Sequence, residues 1–152
     1  MSRIAGLTAA AFLILAAVIG GQGEARAAND PYARLPAVGD RVRFDASVGG
    51  ERMAWAYPSL NYLEAFLRST IDAALSSTSY EDYQKKMGLV LGHSLTLANG
   101  AQGTVQHVQR FYYRDHQDVE VQVRVDSGQL SHSVVWTTPA ELVDSSGHKY
   151  LR

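Results

Sequence analysis

The sequence of 152 residues contains no cysteine. Its absence excludes disulfide cross-links, cysteine nucleophiles and lipid attachment through a cysteine. The serine-nucleophile motif G-x-S-x-G is also missing. The stability of the folded chain must therefore come from packing of an apolar core, and we predict no catalytic residues, which means a protein that is not an enzyme.

Long apolar runs are scarce as well, and the single one lies at the N-terminus. Arg3 precedes an uncharged segment at 4–21, and the small residues Ala25 and Ala27 follow at the spacing that signal peptidases recognise. We predict a secretory signal peptide at 1–27 and a periplasmic or secreted protein. The alternative is an uncleaved anchor helix, because the run approaches the length needed to span a bilayer.

Neither sign of charge dominates the chain. Removing residues 1–27 leaves 12 basic and 14 acidic side chains. This balance gives no electrostatic argument for binding nucleic acid or an anionic membrane surface, so we expect neither partner and no stable membrane insertion after cleavage. The remaining length is that of one domain.

Period-two alternation of apolar residues predicts most of the secondary structure to be β. The clearest strand is 119–126, with its valines facing inward and Glu120, Gln122 and Arg124 facing outward. A long strand at 104–113 loses its alternation around His107 and Val108, which predicts a β-bulge. The other predicted strands are "VGDRVRFDA", "ERMAWAYP", 89–97 and 129–136.

The period changes to three and four residues after Pro58. Leu60, Leu63, Leu67 and Ile71 predict an amphipathic helix. A second helix is predicted to begin with Ser79 and Asp82 and to end at Gly88. The fold class is therefore mainly β (α+β), with a helical insertion at 59–88.

The glycines of "NGAQGTVQHV" predict a sharp corner between two curled strands, because glycine adopts positive φ without a Cβ clash. The G-x-x-G-x-V pattern of Gly100, Gly103 and Val105 is similar to the corner of KOW-type SH3-like barrels. The ending formed by Trp136, "TPAEL" and Val143 is similar to the close of bacterial SH3 domains, and "VGDRVRF" resembles their opening strand.

This resemblance implies a small SH3-like antiparallel β-barrel at 38–143, with an extended lead-in at 28–37 and a loose C-terminal tail at 144–152. Exported bacterial SH3-like (SH3b) domains tend to bind cell-wall peptides or proteins. KOW members bind RNA or ribosomal protein, which export and the acidic balance disfavour here. The helical insertion departs from the ordinary barrel, where this position holds a short loop.

The five histidines lie 9 to 16 residues apart, so no pair has the local spacing of a metal site. We predict no metal and no cofactor. His93 and His132 are predicted on apolar strand faces, most simply as hydrogen-bonded imidazoles. An enzyme with a dispersed site around these two histidines stays open as an alternative.

Aromatic residues are numerous for a domain of this size. Exposed aromatics flanked by polar residues favour contacts with peptides, glycans or proteins. We predict a non-enzymatic binding domain that recognises a protein partner or a cell-wall component through Tyr57, Tyr112 and Trp136. The alternative is an inhibitor or immunity-type protein that blocks a secreted hydrolase with the loop "RDHQD" or "ANGAQG".

Overall fold

The computed structural model describes residues 34–45, 53–75 and 79–150. The predicted signal peptide and most of the predicted lead-in lie outside these residues, as do residues 46–52. Residues 34–37 have no regular secondary structure.

Seven strands and two α-helices make up the described chain. They are β1 (Arg41–Phe44), β2 (Met53–Ala56), α1 (Leu60–Leu75), α2 (Tyr80–Leu91), β3 (Leu95–Ala98), β4 (Gln102–Tyr113), β5 (His116–Val125), β6 (Val134–Thr137) and β7 (Leu142–Asp144). A short 3-10 helix, Pro139–Glu141, separates β6 from β7.

All strand pairs are antiparallel, which confirms the predicted mainly β, α+β class. One sheet has the order β6-β5-β4-β1-β7, and β2 pairs with β3 in a second sheet. Tyr57, just after β2, forms an isolated bridge with Trp136 of β6. Backbone pairing among the described residues does not close the two sheets into a ring.

The main core lies on one face of the five-stranded sheet. Its most deeply buried members are Val42, Phe44, Ala54, Ala56, Val105, Val121, Val123, Val125, Val135 and Leu142. On β2 the small alanines face this core, whereas Met53 on the other face is 42% exposed. The alternation of residues in β2 predicted two faces but did not indicate which of them packs against the core.

A β-bulge in β4 changes which residues face the core. The register with β5 shifts between Val105 and His107, one residue before the predicted position. Because a bulge reverses the side-chain alternation, Val105 and Val108 both pack against the main core, while Phe111 packs on the opposite face. We call that opposite face of β4, β5 and β6 the outer face.

Helix α1 covers the outer face. Leu63 and Leu67 are buried against Phe111 and Tyr57 in a second apolar cluster. The predicted amphipathic helix is therefore confirmed, and its buried stripe packs on the sheet rather than on the main core. None of the helices within the described residues has the length and hydrophobicity needed to span a membrane.

Helix α2 begins as predicted but ends later. The Ser79 hydroxyl accepts a hydrogen bond from the Asp82 backbone N–H over 3.3 Å and donates to the Asp82 carboxylate over 2.9 Å, so Ser79 caps the start of the helix. The helix continues through Gly88 to Leu91. The prediction that Gly88 ends the helix and that a strand starts at 89 was therefore wrong.

Two predictions about the C-terminal third were also wrong. Residues 129–132 form a turn, and β6 starts only at Val134. The tail is not loose as far as residue 150: Val143 bridges to Lys149, and Tyr150 is 3% exposed with its hydroxyl 3.3 Å from the Asp40 carboxylate. The aromatic ring of Tyr150 completes the main core and holds the tail in place.

The two glycines of the corner have different roles. Gly100 has φ of +86° and forms the turn as predicted. Gly103 does not have positive φ. It pairs with Val42 on one side and Val125 on the other, so its lack of a side chain allows close strand packing.

Candidate functional site

The structure separates the three aromatic residues predicted to bind a ligand. Tyr112 is 64% exposed on β4, Trp136 is half-buried on β6, and Tyr57 is only 2% exposed. Tyr57 and Trp136 lie side by side, joined by two backbone hydrogen bonds of 2.7 and 2.8 Å. Tyr57 is therefore not an exposed contact, because it packs against Phe66 of α1 with ring centroids 5.5 Å apart.

Tyr112 lies on the far half of the β4–β5 hairpin, where no described strand pairs with the edge of β4 opposite β5. Strand β1 pairs with β4 only up to Thr104, and the last backbone contacts on that side are made by Val105. From 107 to 113, no backbone hydrogen bond to another described segment lies on this side of β4. We call this stretch the open edge.

Arg110 shares a face of the hairpin with Tyr112, because the two residues are two positions apart in a strand. The Arg110 side chain is exposed, and no ion pair or side-chain hydrogen bond engages it within the described chain. Tyrosine and arginine are the residue types that most often dominate protein interfaces. Tyr112 was named as a candidate in the sequence analysis but Arg110 was not, because an isolated arginine in a strand carries no distinguishing signal.

The outer face of the same hairpin is fixed to α1 by polar contacts. The Tyr113 hydroxyl donates to the Asp72 carboxylate over 3.1 Å, and Arg114 forms an ion pair with Asp72 over 2.9 Å. The Arg68 guanidinium lies 5.0 Å from the ring centroid of Tyr113 and 5.5 Å from that of Phe111. These contacts join the hairpin to α1 on the outer face, whereas Tyr112 stays exposed and no described segment covers the open edge.

Glu120, which the sequence predicted to face solvent, is fully buried. It lies on the outer face, directly across from Gln109 and beneath α1. Alternation correctly placed it on the face opposite the valines of β5. The prediction that this face of β5 is exposed to solvent was wrong, because α1 covers it.

An apolar cavity of about 240 Å³ lies between the two helices and β2. Residues lining it include Trp55, Tyr57, Leu63, Phe66, Met87 and Glu141. The Glu141 carboxylate accepts a hydrogen bond from the Trp55 backbone N–H over 3.0 Å. Burial, followed by the nearby Glu141 charge, raises the pKa of Tyr57, so its hydroxyl stays protonated at neutral pH.

The two histidines singled out by the sequence do not lie on strand faces. His93 is exposed in the loop after α2 and stacks on Tyr62, with ring centroids 4.3 Å apart. His132 is exposed in the turn before β6 with φ of +72°. Within the described residues, no cluster of three or more histidine, aspartate or glutamate side chains could hold a metal ion.

Both loops considered for an inhibitory role are tied to the rest of the domain. Arg114 in "RDHQD" is held by Asp72 of α1. In "ANGAQG", Gly100 and Ala101 exchange backbone hydrogen bonds of 2.7 and 2.8 Å with Phe44.

Comparisons with models of protein families, with curated proteins and with solved structures found no match to this chain. The class of the molecule therefore comes from its own geometry, which is a mainly β domain with α1 packed on the outer face of its sheet and α2 packed against α1.

Proposed function

We propose that this protein is an exported, non-enzymatic binding domain that adds an extended segment of a protein partner to the open edge of β4. The observation that carries the proposal is the edge of β4 at 107–113, which pairs with β5 on one side and with no described segment on the other, beside the exposed ring of Tyr112. Strand addition at a free sheet edge supplies main-chain hydrogen bonds, and adjacent side chains supply specificity.

A polypeptide fits this edge better than a cell-wall glycan. The open edge offers backbone donors and acceptors at the spacing of a β-strand, which another extended peptide matches along its whole length. Tyr112 then stacks on a partner side chain, and Arg110 donates hydrogen bonds to a carboxylate or carbonyl oxygen. Tyr57 and Trp136, buried and half-buried, support the fold next to α1 rather than contacting the partner.

The SH3-like barrel is part of the same proposal. Its support is the strand order, in which β7 follows a 3-10 helix and returns to pair with β1, together with the corner at Gly100 and Gly103. The insertion of α1 and α2 between β2 and β3 gives this domain a rigid support behind its hairpin. The supported hairpin presents its edge without a large loss of conformational entropy on binding.

The test uses a displayed random peptide library selected on the isolated protein. Substituting Tyr112→Ala is expected to weaken binding of the selected peptides at least about tenfold, because central tyrosines often contribute 2 kcal/mol or more. The melting temperature is expected to stay unchanged, since Tyr112 is 64% exposed. The matched control is Tyr62→Ala, an exposed tyrosine on α1 that stacks on His93, which is expected to keep full affinity.

Backbone-methylated peptides separate strand addition from other modes of binding. Methylating alternate amides of a selected peptide removes the donors that would pair with β4, and binding is expected to disappear. Undiminished binding of methylated peptides, or an equal loss of affinity and melting temperature in Tyr112→Ala, contradicts the proposal. Co-sedimentation with purified peptidoglycan that depends on Tyr112 would instead identify the cell-wall component as the ligand.

A further inference from the structure

A buried carboxyl group lies at the interface between α1 and the β4–β5 hairpin. Glu120 is 0% exposed, and its Oε2 accepts a hydrogen bond from Gln109 Nε2 over 2.7 Å. Its Oε1 is buried without a hydrogen-bond partner in the described chain. An unpaired buried oxygen is much less costly on a neutral carboxylic acid than on a carboxylate.

The groups that face Glu120 from the surrounding elements give an ionised carboxylate little net support. Glu64 of α1 and Asp118 of β5 disfavour a negative charge, and Arg68 of α1 favours it. Arg68 already pairs with Glu64 over 3.1 Å and is 48% exposed, so its compensation of Glu120 is limited. Gln109 of β4 is uncharged and donates a hydrogen bond to the Glu120 carboxyl group. Burial is the largest cause and raises the pKa of Glu120. The hydrogen bond from Gln109 and the charge of Arg68 oppose this rise, and the charges of Glu64 and Asp118 add to it.

The same interface holds α1 in place. Leu63 and Leu67 bury their side chains there, and Asp72 anchors the far end of the helix to Tyr113 and Arg114. A charge formed at Glu120 therefore sits under the middle of the packed helix. It can be hydrated only if the helix moves away from the sheet.

We propose that α1 is a pH-sensitive support of the hairpin, docked while Glu120 is neutral and loosened when Glu120 ionises. The docking equilibrium depends only on the buried interface between α1 and the β4–β5 hairpin. Its consequence for partner binding rests on the function proposed above: when α1 loosens, the open edge loses its rigid backing and binds its partner more weakly.

The direction of the effect follows from linkage. Below about pH 4, the ordinary range of glutamate, Glu120 is neutral whether α1 is docked or open, and docking is strongest. As the pH rises, the open state ionises first and docking weakens, until the pH passes the pKa of the docked state and the effect levels off. Each pH unit between the two pKa values corresponds to a tenfold change in the opening equilibrium constant.

Amide hydrogen exchange tests the pH-dependent docking of α1. In the isolated protein, the opening constant of residues 60–75, corrected for intrinsic exchange, is measured from pH 4 to pH 8. The wild type is expected to open at least about tenfold more than Glu120→Gln at pH 8, and to the same extent at pH 4. Glu81→Gln, an exposed acid in the first turn of α2, serves as the matched control and is expected to follow the wild-type profile. A pH profile shared by the wild type and Glu120→Gln overturns the inference.

Carbon NMR of the Glu120 carboxyl gives a second readout that needs no variant. A titration midpoint above that of exposed glutamate supports the inference, and one at or below it overturns the inference. Failure of peptide selection leaves both readouts intact, so the proposed function and the pH-sensitive docking can fail separately.

Discussion

At the scale of single residues, Gly103 shows that a glycine can be required for space rather than for its φ angle. A Cβ at this position would lie 2.9 Å from the carbonyl oxygen of Arg124 and would overlap the side chain of Val123. Strand β4 therefore approaches β5 more closely here than any other residue type would allow.

We predict that Gly103→Ala lowers the free energy of unfolding by about 1–3 kcal/mol, because neighbouring backbone must move to accommodate the methyl group. Urea denaturation measures the loss. Gly100→Ala is the comparison: its Cβ would meet open space, so only the strain of φ at +86° contributes, about 1–2 kcal/mol. If Gly103→Ala leaves the free energy of unfolding unchanged, β4 and β5 do not approach each other this closely at residue 103.

At the scale of elements, periodicity identified α1 and β5 but could not identify what covers each face. The alternation of Val121, Val123 and Val125 located the core face of β5, whereas nothing local showed that α1 would bury Glu120 on the other face. The candidate site followed the same rule. Adjacent tyrosines must face opposite ways, but only the position of α1 determines that Tyr113 is partly covered and Tyr112 exposed.

Helix α2 gives a prediction at the scale of elements. Gly88 was predicted to end this helix, but the helix continues to Leu91. Gly88 is exposed inside the helix, and a Cβ there would meet nothing within 4 Å. We predict that Gly88→Ala stabilises the protein by up to about 1 kcal/mol, since alanine has the higher helix propensity. Thermal unfolding measures the gain. A loss of stability would instead place Gly88 at a helix terminus, where glycine is preferred.

At the scale of the whole molecule, the C-terminal segment joins the two ends of the described chain. Polar composition suggested a loose tail, and the local sequence contains no regular pattern to suggest otherwise. The structure instead inserts Tyr150 into the main core and brings its hydroxyl near Asp40, which itself pairs with Arg34 over 2.6 Å. Burial and the Asp40 charge raise the pKa of Tyr150 to about 12, so the hydroxyl is neutral at physiological pH.

We predict that Tyr150→Ala destabilises the domain by about 3–5 kcal/mol, the range found when a buried aromatic side chain is removed from a core. Tyr150→Phe should lose about 1 kcal/mol, because it keeps the ring and gives up a single long hydrogen bond to an aspartate. Tyr112→Ala is the matched tyrosine control and should unfold at the wild-type urea concentration. The order of stability of the variants tests this prediction more directly than the absolute values. If Tyr150→Ala unfolds at the same urea concentration as Tyr112→Ala, the tail contributes nothing to the core. A large loss confined to Tyr150→Ala shows that the domain extends to residue 150, well past the predicted barrel end at 143.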